Sequence, residues 1–143
     1  MRFLYKTDDN LAGFFARVAL GAVMLPHGYP KLVNFERAIG GLTDGVGLPY
    51  AVAFLVIIGE SVGAVSLIAG FLSRFCAFSI GIIMAGAIWM FHLKHGFFMN
   101  WGGNPEAGEG YEYHVLAIGL ALVVTVAGGG RFSVDRLITR ILK

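Results

Sequence analysis

The chain alternates long apolar runs with shorter polar stretches, and the apolar runs are the length of membrane spans. Crossing the hydrocarbon core of a bilayer takes about 20 apolar residues, with a working range of about 17–25. Four segments predict transmembrane helices on this ground: residues 11–28, 50–71, 75–91 and 112–127. Arg17 interrupts the first and Glu60 the second, whereas the third carries no charge. The fourth runs into Gly128-Gly129-Gly130, which stops a helix. Strands of a membrane barrel would read as short alternating segments, and these do not. The expected fold is an all-α integral membrane protein. It is a single domain over residues 1–143, an antiparallel bundle of four transmembrane helices with short interfacial helices added.

The polar stretches have their own patterns. In the tail, 132–143, Val134, Leu137, Ile138 and Ile141 follow an i, i+3, i+4, i+7 spacing with Arg131, Arg136, Arg140 and Lys143 interleaved. That predicts a short amphipathic helix lying on an anionic membrane surface, serving as a topology anchor. Residues 34–41 predict one or two amphipathic turns capped by Asn34, and 40–49 a glycine-rich return closed by Pro49. Residues 96–111 are glycine-rich yet carry Phe97, Phe98 and Trp101, which a flexible linker does not need. They read either as a lid over the end of the bundle or, more simply, as an interfacial aromatic belt.

Orientation follows from the lysines and arginines near the span ends. Arg2, Lys6, Arg74, Arg131, Arg136, Arg140 and Lys143 lie on one side, and Lys31, Arg37 and Lys94 on the other. Seven against three places both termini in the cytoplasm. Asp8 and Asp9 before the first span, and Arg17 within it, argue against a cleaved signal peptide.

Composition supports the same class. Of 143 residues, 57% are hydrophobic and only 14% charged, with a mean hydropathy of +0.73. An ordinary soluble domain carries about 25% charged residues. A soluble enzyme and a disordered chain are thereby excluded. A net charge of +2 without basic clusters excludes a nucleic-acid surface. The one cysteine, Cys76, rules out an internal disulfide, a CxxC pair and a zinc ribbon.

The charges inside the spans are the candidate chemistry, because each costs roughly 2.5–3.5 kcal/mol at the bilayer centre on insertion scales. Arg17 is flanked by Gly13 and Gly21, and Glu60 stands beside the Gly59–Gly63 GxxxG. Small residues let helices approach closely, so both charges are expected to face the bundle interior and to pair. The pair reads either as a register-fixing ion pair or as part of a functional site. Ala77, Gly81 and Ala85 form a further small-residue face, through which a homo-oligomer could form.

A second group gathers at the outer end: His27 and Lys31 after the first span, His92 and His95 after the third, and Glu112, Tyr113 and His114 at the start of the fourth. His92 and His95 have an i, i+3 spacing that permits metal ligation. A lone pair of that kind is weak evidence, and no metal is expected. A bis-histidine haem between His92 and either His27 or His114 ranks below a metal-free site, since no attachment motif is present, and no covalent cofactor is expected. The residues predict a polar pocket near the outer leaflet, with proton-carrying groups (His27, His92, Glu112), a cation (Lys31) and flat aromatics (Trp89, Trp101, Tyr113). A small amphipathic molecule such as a quinone suits it, with apolar walls for the tail. Glu60, His27, His92 and Glu112 are the expected proton-handling residues. Lys31, Arg17, Trp89, Tyr113 and His114 are the expected binding residues.

Several stretches resemble the DoxX family of small four-helix membrane proteins. They are Arg17-Val18-Ala19-Leu20-Gly21 with His27-Gly28-Tyr29-Pro30-Lys31, then Gly59-Glu60-Ser61-Val62-Gly63, then Ala69-Gly70-Phe71-Leu72-Ser73-Arg74. His95-Gly96-Phe97-Phe98, Glu112-Tyr113 and the run from Gly128 to Asp135 complete the set. The resemblance implies a four-helix bundle in the bacterial cytoplasmic membrane, associated with membrane oxidoreductases. The related DoxD proteins form part of a thiosulfate:quinone oxidoreductase. It also implies that Arg17, His27, Lys31, Glu60 and Glu112 are the family's polar positions. The leading expectation is therefore a quinone-binding subunit working with a partner oxidoreductase in the lipid membrane, without nucleic acid. The alternatives are a non-catalytic scaffold that docks such a partner and, ranked last, a small lipid or solute carrier.

Overall fold

The computed structural model describes residues 2–141, and side chains from Leu4 onward. The charges expected at Arg2 and Lys143 to orient the chain lie outside the described side chains. Among the described residues every regular element is helical. They are α1 (Arg2–Tyr5), α2 (Leu11–Val33), α3 (Phe35–Gly40), α4 (Tyr50–Ala69), α5 (Ser73–Ala87), α6 (Glu112–Ala127) and α7 (Val134–Ile141). A π-helical turn, Gly41–Gly45, follows α3; a second, Ile88–His92, and a 3₁₀ turn, Leu93–His95, extend α5. Three continuous helical segments, Leu11–Val33, Tyr50–Ala69 and Ser73–His95, are long and apolar enough to cross a membrane; α6 is apolar but shorter. α2 packs along α4, α4 on α5, α5 on α6, and α6 back on α2.

The first helix runs further than the expected end near Gly28. It passes Pro26 and Pro30 and stops at Asn34, whose backbone and side-chain N–H groups both donate to the Pro30 carbonyl, 3.0 Å each. Each proline removes one backbone bond, but Gly28 lies flat against the Glu60 backbone of α4, where a side chain would collide. That packing holds the last turn helical. Because the Asn34 side chain reaches backward, it does not cap α3 as expected. Gly21 makes a second close approach to α4, with a Cβ at that position only 2.7 Å from the Ala64 carbonyl. Of the small-residue face Ala77, Gly81 and Ala85, Ala77 is fully buried and Gly81 lies against Ala121 of α6, whereas Ala85 is exposed.

One end of the bundle is tied by a polar knot around Arg17. Its side chain is 1% exposed. A guanidinium has five N–H donors, and each has a carbonyl acceptor. Nε donates to Gly129 (2.7 Å), Nη1 to Leu67 (2.9 Å) and Ile68, and Nη2 to Phe132 (2.7 Å) and Arg131 (3.4 Å). Leu67 and Ile68 lie in the last turn of α4, whose carbonyls have no partner within the helix, so Arg17 caps that helix and complements its dipole. Asp135, also 1% exposed, does the converse for α5, its two oxygens accepting from Leu72 and Ser73 N–H at 2.8 Å. The α4–α5 turn is thus held by a cation on its carbonyl side and an anion on its amide side.

The N-terminal segment joins the same knot. Thr7 Oγ1 accepts from Gly130 N–H (2.6 Å), the Asn10 carbonyl accepts from Arg131 N–H (2.9 Å), and Thr139 Oγ1 donates to the Tyr5 carbonyl (2.7 Å). Arg74 donates to the carbonyls of Lys6 and Thr125. Asp9 pairs with Arg136 and Arg131, and their hydrogen bonds hold its carboxyl down at about 2. α7 presents Val134, Leu137 and Ile141 outward, an unpacked apolar face like that of a surface-lying helix.

Candidate functional site

The opposite end of the bundle holds a cavity of about 660 Å³. Its walls are mostly apolar, from α4 (Val52, Leu55, Val56), α5 and its extension (Ile82, Ile83, Met84, Met90, Phe91) and the α3–α4 connection (Leu42, Leu48). Its polar groups are few and convergent: His27, Lys31, Glu60, His92, Glu109, Tyr113 and His114.

Glu60 is the middle of this site. It lies halfway along α4, its side chain 7% exposed, and forms an ion pair with Lys31, which is 34% exposed. The geometry comes from Gly28: one helical turn before Lys31, it allows α2 to lie on the Glu60 backbone, so the next turn brings the ammonium to the carboxylate. The expected pairing of Glu60 with Arg17 does not occur. Arg17 lies fourteen residues before Lys31, about 21 Å along a helix rising 1.5 Å per residue. It is buried facing the interior, as expected, but among main-chain carbonyls.

Aromatic and imidazole rings line the opposite wall. The His92 and His114 rings lie 4.1 Å apart at 41°, Tyr113 is 5.3 Å from His114, and His27 is 5.9 Å from Tyr113. His92 Nδ1 donates to the Glu109 carbonyl at 2.8 Å. A carbonyl only accepts, so the proton of neutral His92 sits on Nδ1 and Nε2 is left as an acceptor. His114 is 7% exposed, and its Nδ1 is buried without a partner. The Tyr113 hydroxyl points to Met24 Sδ at 3.5 Å. Among the described residues no group of three His, Cys, Asp or Glu is placed to hold a metal ion.

Six of the nine expected site residues therefore meet at one cavity: His27, Lys31, Glu60, His92, Tyr113 and His114. Three do not. Arg17 belongs to the knot. Trp89 points outward, 79% exposed. Glu112 stands beside the cavity and accepts from Met99 N–H (3.3 Å) and Trp101 Nε1 (3.2 Å), fixing the loop between α5 and α6.

That loop closes on itself. Tyr111 and Glu112 N–H donate to the carbonyls of Gly96 and Phe97 (3.2 and 2.8 Å). Inside it, Asn100 binds the Asn104 and Ala107 carbonyls through its amide and Glu109 through its N–H. Met99 and Glu109 line the cavity from this loop, which gives it the place of a lid. Phe98 and Trp101 point away, 74% and 81% exposed, and with Tyr29, Tyr50 and Trp89 they ring this end as interfacial aromatics do. The lid and belt readings thus describe two faces of one loop.

The sequence reading missed Met24, Met84, Met90 and Met99 as cavity lining, and Glu109. Methionines fill irregular apolar space, but nothing in their spacing shows four of them meeting. Asp135 begins α7, yet its carboxylate caps the first turn of α5 more than sixty residues earlier, a partnership that no local pattern shows.

No curated protein and no solved structure matches this chain. The family model described as DoxX matches residues 12–93, more than half of the chain. That stretch contains Arg17, Gly28, Lys31, Glu60 and His92, and so the core of both the knot and the cavity. The chain belongs to the DoxX family.

Proposed function

We propose that this protein is a four-span membrane subunit that binds a quinone, or a closely similar small amphipathic molecule, in the cavity between α2, α4, α5 and α6, as part of a quinone-linked oxidoreductase system. The observation that carries the reading is the cavity itself. Its volume lies within the roughly 300–1,000 Å³ of small-molecule sites, and it combines apolar walls with a few convergent polar groups. A quinone supplies two-electron chemistry coupled to proton uptake. Of this chain's residues, Glu60 and His92 hold and exchange protons, Lys31 compensates negative charge at the headgroup, and Tyr113 and His114 orient the ring. Electrons come from a partner oxidoreductase or a small reductant.

Four crossings are supported by the knot. Residues 5–10 bond to residues 130–139, so these two described segments lie at one end of the bundle, and that fits an even number of crossings between them. α6 is then the fourth, short at about 24 Å for sixteen residues. Lys6, Arg74, Arg131, Arg136 and Arg140 at the knot end support a cytoplasmic location for it. The cavity then faces the outer side of a bacterial cytoplasmic membrane.

Gentle detergent extraction followed by mass spectrometry of the co-purifying lipids tests the reading. Bound quinone, lost in Glu60→Gln while the protein stays folded, is the expected result. An empty cavity with a stoichiometric protein partner would overturn it and support a docking scaffold instead.

A further inference from the structure

The cavity is open along its side. On α4, Val52, Val56 and Glu60 share one face, and on α5 and its π-helical extension, Ile83, Gly86 and Met90 share another; all line the cavity, and their three- to four-residue spacing is that of a single helix face. The stripe from Ile83 to Met90 gives roughly 10 Å of groove at 1.5 Å per residue. At its lips, Leu55 and Ile82 are 65% and 58% exposed. The groove therefore opens sideways between α4 and α5. Both helices belong to segments able to cross a membrane, so the opening faces hydrocarbon. The polar cluster lies at the groove's inner wall, and the α5 stripe carries no charge.

Gly86 shows that this space is not consumed by helix packing. A Cβ there would meet nothing within 4 Å, whereas one at Gly59 would strike Ile83 Cδ1 at 2.6 Å. α4 and α5 thus touch near Gly59 and part toward Gly86. A bilayer offers no water to drive that gap shut, and close packing alone joins helices there.

We infer that the groove between α4 and α5 is a lateral portal for a single apolar tail, isoprenoid or alkyl, whose ligand arrives from the bilayer and keeps its tail in lipid while its headgroup reaches Glu60, His92 and Tyr113. The inference rests on the quinone-class reading and adds the ligand's route and the position of its tail. A tailed ligand needs no passage through water, and the lid between α5 and α6 need not move to admit it.

The experiment uses the full chain in detergent and two probes with the same quinone ring, one carrying a ten-carbon alkyl tail and one carrying only methyl groups. Binding is measured to wild type and to Gly86→Phe, which fills the open space beside Gly86. The expected result is that wild type binds both, while Gly86→Phe loses the tailed probe by at least about tenfold and keeps the tail-less one within about twofold, as the loss of a well-defined apolar path predicts. Ile82→Trp at the lip gives the same split and serves should Gly86→Phe fail to fold. Failure of wild type to bind either probe overturns the quinone reading and the portal together. Unchanged affinity of both folded variants for the tailed probe, or equal loss of both probes, overturns the portal and leaves the headgroup site standing.

Discussion

The two ends of this bundle are built on opposite rules. At the knot, a buried cation and a buried anion, Arg17 and Asp135, have all their hydrogen bonds supplied by main-chain groups of other segments. At the cavity, among the described residues, the buried carboxylate of Glu60 has one half-buried cationic partner, a buried imidazole nitrogen has none, and about 660 Å³ is left open. Charges held by backbone fix a fold; charges held loosely beside empty space are available to a ligand. A charge within a membrane span is thus not by itself a functional site, and the number and kind of its partners decide which it is.

The comparison can be broken most sharply at Arg17. Arg17→Met leaves five carbonyls without their donor, and at about 1–3 kcal/mol for a buried unsatisfied group the partly relaxed loss is about 3–5 kcal/mol. Folded protein in a detergent melt should fall steeply, and a wild-type melting temperature would show that the knot is not the stable end. Asp135→Asn is next. It keeps the shape but removes the charge and leaves one of the two N–H groups facing an amide NH2, which should cost about 1–2 kcal/mol, as loss of a helix cap does, with faster amide exchange at Leu72 and Ser73. Glu60→Gln should divide the two ends: a melting shift of a few degrees at most, with quinone affinity down at least about tenfold, because the headgroup then loses the carboxylate that exchanges its proton. A collapse in stability on Glu60→Gln would erase the distinction between the ends.

The smallest effect belongs to Asp9. Its folded carboxyl titrates at about 2, below its ordinary value of 3.8, because Arg136 and Arg131 bond to the ionised form. A depressed acid contributes stability above its unfolded pKa and loses it as pH falls through the folded one. The expected outcome is a slight fall in melting temperature between about pH 4 and pH 2, absent in Asp9→Asn.

The helices were legible because their signal is length and apolarity, and α6 matches its expected bounds, Glu112–Ala127. The burial of Arg17 and Glu60 was legible from the small residues around them. Their partners were not. The acceptors of Arg17 are main-chain carbonyls, some more than a hundred residues away, and main-chain atoms leave no mark in a sequence. Lys31 was misplaced in the opposite way. The span end expected at Gly28 put it in a loop, whereas packing of Gly28 on α4 keeps the next turn helical and aims the ammonium inward. The π-helical turn at Ile88–His92, which sets where His92 points, has no pattern of its own at all.

The loop between α5 and α6 is joined to itself at its base, and few bonds tie its interior to the helices, the one from His92 Nδ1 to the Glu109 carbonyl among them. Residues inside it, Met99 and Glu109 among them, can be exchanged or lengthened without a change of scaffold. Glu60 has no such freedom, since Gly28 is pressed against its backbone. Divergence among proteins of this architecture should therefore run through the loop first, giving related chains different appetites over a common floor, and a designer wishing to retarget the cavity would begin by grafting a new loop between His95 and Glu112.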